Sequence, residues 1–173
     1  MSEATPEFSR LVSLARLGPE PFRQQIEADL DERARLACRC DLVALDRLTA
    51  TVTLRRQEGE IVLLEAEFQA AFTQNCVITL EPVADTVLGS FSLLYGPVEE
   101  ATAETAPSAD DLVFEPLTGD AIDIGEAVAQ ELSLALPDFP RHPDAAIDAA
   151  APAAAPVDPP FAVLASLRKP ARD

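Results

Sequence analysis

Leu48-Thr49-Ala50-Thr51-Val52-Thr53-Leu54-Arg55-Arg56, followed by Gln57-Glu58-Gly59-Glu60 and then Ile61-Val62-Leu63-Leu64-Glu65-Ala66-Glu67-Phe68-Gln69-Ala70-Ala71-Phe72, settles the architecture. The first run alternates apolar and polar residues with the period of two that puts one face of a strand in a core and the other in water. The second run is rich in strand formers, and the four residues between them carry a glycine. Two antiparallel strands joined by a tight turn follow from this order.

Working outward, Cys76-Val77-Ile78-Thr79-Leu80 and Thr86–Tyr95 read as two further β-rich runs separated by Glu81-Pro82, which extends the hairpin into an antiparallel sheet or a small barrel. Upstream, Phe22, Ile26, Leu30 and Ala34 recur every four positions among charged residues, which predicts an amphipathic helix over Pro21–Cys38. Before it, Glu7–Leu14 alternates loosely, as a first strand would, and Gly18-Pro19 breaks it. Downstream, Asp123-Ile124-Gly125-Glu126 resembles a capping box ahead of an apolar run, so a second helix should start at the Asp123 cap and end before Pro137. The fold class is therefore α+β: an antiparallel sheet or small barrel packed with an N-terminal helix and a second helix.

The chain has the size of one ordinary domain, and its 48% apolar content is enough for a core without staples. We expect that domain to occupy residues 1–143, with an acidic loop at 96–111 holding Glu99, Glu100, Glu104, Asp110 and Asp111. Residues 144–159 are mostly Ala, Pro and Asp, too poor in large apolar side chains to fold, and read as a disordered linker. Residues 160–173 regain an amphipathic pattern: Phe161, Leu164 and Leu167 form the apolar face of a short tethered helix with Arg168 and Lys169 at its end.

The formal charge of −17 is unevenly placed. Residues 1–59 hold nine arginines against ten acids, whereas residues 60–159 hold nineteen acids against Arg141 alone. Such a field repels phosphate backbones and anionic lipid and attracts cations and basic proteins, besides serving solubility. No run of eighteen apolar residues and no basic-then-apolar leader occurs, which predicts a cytoplasmic protein with no membrane partner. Three cysteines, Cys38, Cys40 and Cys76, fit reduced thiols better than a disulfide framework.

Catalytic patterns are missing. His142 is the sole histidine, so Ser-His-Asp, Cys-His and multi-histidine arrangements would all rest on one loop residue. Cys38-x-Cys40 would need Cys76 and His142 to complete a tetrahedral site. Six glycines form no phosphate-binding loop, and the carboxylate pairs Glu99/Glu100 and Asp110/Asp111 sit in the loop instead of in a shaped cleft. We expect no catalytic residue, no metal and no cofactor. RNA reading by stacking is disfavoured by the absence of Trp and a single Tyr95, although arginines of the first third, Arg55 and Arg56 above all, are available for direct RNA contact.

Three blocks carry a resemblance: Gln74-Asn75-Cys76-Val77-Ile78-Thr79-Leu80-Glu81-Pro82; Ile122-Asp123-Ile124-Gly125-Glu126 with Glu131–Pro137; and Pro160-Phe161-Ala162-Val163-Leu164-Ala165-Ser166-Leu167-Arg168-Lys169. In order and spacing the chain resembles the YceD family, the large ribosomal RNA subunit accumulation proteins, from Phe8 to Lys169. The resemblance implies a bacterial protein, with plastid relatives, that supports synthesis, processing or stability of 23S ribosomal RNA, and it implies no catalytic residue. Many relatives carry a Cys-x-x-Cys before the Leu-Glu-x-Pro block and further cysteines after the second helix. Here the first of those positions is Thr73, and Pro140-Arg141-His142-Pro143 holds no cysteine, so a family zinc site does not carry over.

Together these observations predict a non-enzymatic ribosome biogenesis factor. Its acidic part would bind a basic ribosomal protein or a large-subunit precursor, while the tethered helix (Phe161, Leu164, Leu167, Arg168, Lys169) makes a second contact. The alternative is direct binding of precursor ribosomal RNA through the N-terminal arginines. A metal-dependent hydrolase is permitted by the acid count but supported by no motif. Cys76, Leu80, Glu81, Pro82 and Asp123 are expected to be structural.

Overall fold

The structure, a computed structural model, describes residues 6–97, 113–117 and 119–146. The hairpin is longer than its sequence signal: β3 runs over Ala44–Arg56 and β4 over Val62–Asn75, after β1 (Leu11–Ser13) and β2 (Phe22–Glu27). Gly59 has φ 71°, the left-handed value that lets the chain reverse between β3 and β4, and the Gln57 N–H donates to the Ile61 carbonyl across the turn. β5 (Pro82–Gly96) pairs antiparallel with β4 along its whole length, and β6 (Val113–Pro116) adds in parallel at the far edge. The ladder β2-β3-β4-β5-β6 does not close among the described residues, so the alternative of sheet or barrel resolves here to an open sheet.

Alternation then sorts the two faces. Leu48, Ala50, Val52 and Leu54 of β3 and Val62, Leu64, Ala66, Phe68, Ala70 and Phe72 of β4 are buried in one cluster with residues of both helices. The opposite face carries Thr49, Thr51, Thr53, Glu65, Glu67 and Gln69 and is polar. Gly89 stands opposite Phe68 in the register, and the Phe68 ring fills the place where a Cβ would sit. Phe68 in turn meets Phe91 edge-on, with ring centroids 6.3 Å apart.

Three sequence expectations are corrected. The helix expected over Pro21–Cys38 is a strand followed by a helix: β2 ends at Glu27 and α1 spans Leu30–Arg39. A spacing of four suits both periods, because Phe22 and Ile26 also lie on one face of a strand, and they pair with Leu54 and Ala50 of β3. Asp29 and Glu32 decide the boundary through a reciprocal capping box, with the Asp29 side chain accepting the Glu32 N–H at 2.8 Å and Glu32 accepting the Asp29 N–H at 2.9 Å. The second correction concerns Cys76–Leu80, expected as a strand and found as the turn between β4 and β5. Likewise the first strand is shorter than Glu7–Leu14, because residues Leu14–Arg16 coil into a single 3-10 turn.

The second helix, α2, spans Ile124–Ala135 and starts at the expected cap: the Asp123 carboxylate accepts from Gly125 and Glu126 N–H. It packs on β4 and β5 while α1 packs on β3. A small second sheet pairs β1 with β7 (Ala121–Asp123), bringing the start of the chain to the start of α2. The acidic stretch 98–112 and everything from residue 147 onward, including most of the expected linker and all of the expected terminal helix, lie outside the described residues.

Candidate functional site

Two constellations gather the polar chemistry. The first is a clasp at the N-termini of both helices. Arg10 donates to both oxygens of Glu32, at 2.6 and 2.9 Å, and to the Glu27 carbonyl at 3.0 Å, with its guanidinium 4.7 Å from the centre of the Phe8 ring. Asp123 accepts from the Arg10 N–H at 2.7 Å and from the Ser9 hydroxyl at 2.5 Å while capping α2. A Cβ on Gly125 would come within 2.7 Å of the Phe8 carbonyl oxygen, so the approach of chain to helix depends on that glycine. Arg39 joins Glu7 and Glu126 with contacts of 2.9 to 3.0 Å. The guanidinium of Arg10 holds the Glu32 carboxyl below the usual carboxylate range. Each of these groups is held by partners within the fold, which makes the clasp an anchor.

The second constellation is the β4–β5 turn. The Cys76 Sγ accepts backbone N–H groups from Ile78 and Thr79 at 3.4 Å and from His142 at 3.3 Å. Its own N–H donates to the Glu81 carbonyl, and its carbonyl accepts the Leu80 N–H. The thiol is closed to solvent yet lies outside the main core cluster, at the end of the sheet. Donors therefore outweigh desolvation: the His142 N–H first, then the hydroxyl and N–H of Thr79, bring the thiol down to about 6 from an ordinary 9.0. The segment after α2 is fastened over the turn, with Val77 N–H donating to the Pro140 carbonyl at 2.9 Å and Gln74 Nε2 to the Pro137 carbonyl at 3.3 Å. A cleft of about 350 Å³ opens beside it, lined by Asp41, Gln74, Val77, Leu136, Asp138 and Pro140 among others.

Leu80 has φ 60° and is 76% exposed, a left-handed leucine with no packing to hold it. Pro82 opens β5 opposite Asn75, where a strand tolerates a residue without N–H. The role of His142 falls to its backbone, and its ring Nδ1 accepts the Asp144 N–H at 3.2 Å. Sequence reasoning singled out Cys76, Leu80, Glu81, Pro82 and Asp123 but missed Phe8, Arg10, Glu32 and Gly125, as well as the docking of Pro140 and His142. The Asp29/Glu32 capping pattern was the one local signal available for part of this set.

Arg56 is engaged with the fold, donating to the carbonyls of Leu17 at 3.0 Å and Leu14 at 2.8 Å, which pins the 3-10 turn. Arg55 is exposed and pairs with Glu65 at 3.5 Å. Arg33 donates to the Ala28 carbonyl. Glu99, Glu100, Asp110, Asp111, Phe161, Leu164, Leu167, Arg168 and Lys169 lie outside the described residues. Among the described residues no three His, Cys, Asp or Glu side chains gather in a metal-binding group, and no helix is long and apolar enough to cross a membrane.

The family model described as large ribosomal RNA subunit accumulation protein YceD matches residues 64–168, from β4 through α2 to the terminal block. This chain belongs to the YceD family. Membership links it to accumulation of large-subunit ribosomal RNA. The matched span contains the Cys76 turn and the Asp123–Glu126 half of the clasp, while Phe8, Arg10 and Glu32 lie upstream. Comparison with curated proteins yields no match, and comparison with solved structures yields none.

Proposed function

We propose that this YceD-family protein is a non-enzymatic, metal-free cytoplasmic factor that supports large-subunit ribosomal RNA by binding a basic ribosomal protein or a basic face of the subunit precursor. The observation that carries the reading is the placement of charge: from residue 60 to 159 nineteen acids face a single arginine. Phosphate is repelled by that field, and a lysine- or arginine-rich protein surface is drawn to it. The engagement of Arg10, Arg33, Arg39 and Arg56 with acceptors inside the fold also weighs against the N-terminal third as an RNA stripe. In this reading residues 1–143 are the folded body, 144–159 a tether, and Phe161, Leu164, Leu167, Arg168 and Lys169 a second contact that tethering makes effectively local.

The test is binding of purified full-length chain to large-subunit ribosomal proteins and to 23S precursor RNA across a salt series. Retention of a basic protein that collapses as salt rises supports the reading. Retention that ignores salt overturns it. Crosslinking of precursor RNA that is lost in Arg55→Glu with Arg23→Glu would favour direct RNA binding instead.

A further inference from the structure

We propose that the β4–β5 turn, with Leu80 and Val77 on one side and Phe139 on the other, is a docking surface for an extended basic protein segment that carries an apolar side chain. The proposal rests on the partner reading above and assigns it a place. Three exposed apolar residues lie on the two segments that adjoin at this end of the sheet: Val77 is 46%, Leu80 76% and Phe139 74% exposed. The hydrogen bond from Val77 N–H to the Pro140 carbonyl puts the Phe139 loop beside the turn.

Leu80 is the observation that points to a ligand. A left-handed backbone is unfavourable for leucine, and glycine or asparagine would hold the same turn more easily. Burial cannot be the compensation, because the side chain faces solvent. What distinguishes leucine from glycine here is an apolar side chain held outward, and a strained residue kept in an exposed position is how binding sites present contacts. The surroundings specify the partner's charge. Asp41 and Asp138 line the adjoining cleft of about 350 Å³, and Glu81 and Asp144 flank it in sequence, against Arg141. A cleft of that size takes one or two side chains, which fits a segment of chain better than a globular face. The turn is fixed in advance by the three N–H donors on Cys76, so binding would order little of this protein.

Two measurements on the full-length chain test this. The first replaces Phe139 with photoreactive benzoylphenylalanine in growing cells and identifies the peptide crosslinked. The expected product is a lysine- or arginine-rich segment with a leucine, isoleucine or aromatic residue, from a large-subunit protein. RNA as the sole product, a second copy of this chain, or this chain's own residues 160–169 would overturn the proposal. The second passes total large-subunit ribosomal protein over immobilised chain and compares wild type with Leu80→Gly/Phe139→Ser. Glycine relieves the backbone, so the variant should melt no lower than Phe139→Ser alone, yet retention should fall about tenfold or more. Unchanged retention that remains salt-sensitive would overturn the docking surface and leave the partner reading standing. If wild type retains nothing at any salt, the partner reading fails and the docking surface with it.

Discussion

Cys76 shows how a single side chain can make stability depend on pH. Its folded acidity is raised by hydrogen bonds that the unfolded chain lacks, bringing the thiol to about 6 from 9.0. The stabilisation is therefore fully present above the unfolded value and is lost as pH falls through the folded one. Urea unfolding of wild type minus Cys76→Ser should give a stability difference that grows between about pH 6 and about pH 9. A difference that stays flat over that window would mean the thiol remains protonated. Gly125 makes a steric prediction at the same scale. A methyl group there meets the Phe8 carbonyl at 2.7 Å and the Arg10 nitrogen at 2.9 Å, both backbone atoms, so Gly125→Ala should destabilise by about 1–3 kcal/mol. Thermal unfolding checks it.

Among elements, those fixed by local pattern were legible in the sequence and those fixed by distant partners were not. The β3–β4 hairpin was, because alternation and Gly59 act within a few residues, and so was the Asp123 cap. Phe22 and Ile26 misled because an even spacing satisfies strand and helix alike, and pairing with Leu54 and Ala50 of β3 is what selects the strand. Cys76–Leu80 misled because strand-like composition hides a turn held from His142, 66 residues away. The same limit hid the clasp, whose partners Arg10 and Glu32 are 22 residues apart. Asp123→Ala removes a helix cap and the anchor of Ser9 and Arg10 together, so it should lose about 1–2 kcal/mol or more, with hydrogen exchange at Leu11–Ser13 accelerating first. A double-mutant cycle on Arg10→Ala and Glu32→Ala should return a coupling of about 1–2 kcal/mol, since Glu32 is nearly buried and both its oxygens are occupied.

At the scale of the whole molecule, charge and core divide the labour. Arginines of the first third are drawn into the fold by carboxylates and backbone carbonyls, with Arg39 reaching Glu126 and Arg55 reaching Glu65, while residues 60–159 themselves hold nineteen acids against Arg141. Affinity for a basic partner should accordingly fall steeply with ionic strength, mainly through slower association, which stopped-flow mixing at two salt concentrations would resolve. The pairing of β1 with β7 bears on how the molecule comes into being. Arg10 and the Asp123 carboxylate that receives its N–H are 113 residues apart. A nascent chain emerging from its N-terminus must therefore carry Phe8 and Val12 uncovered while the central sheet assembles, and it can fasten them only once Asp123 and Gly125 have been synthesised. Closing that long-range contact is therefore a late event in synthesis, possible only after the start of α2 has been made.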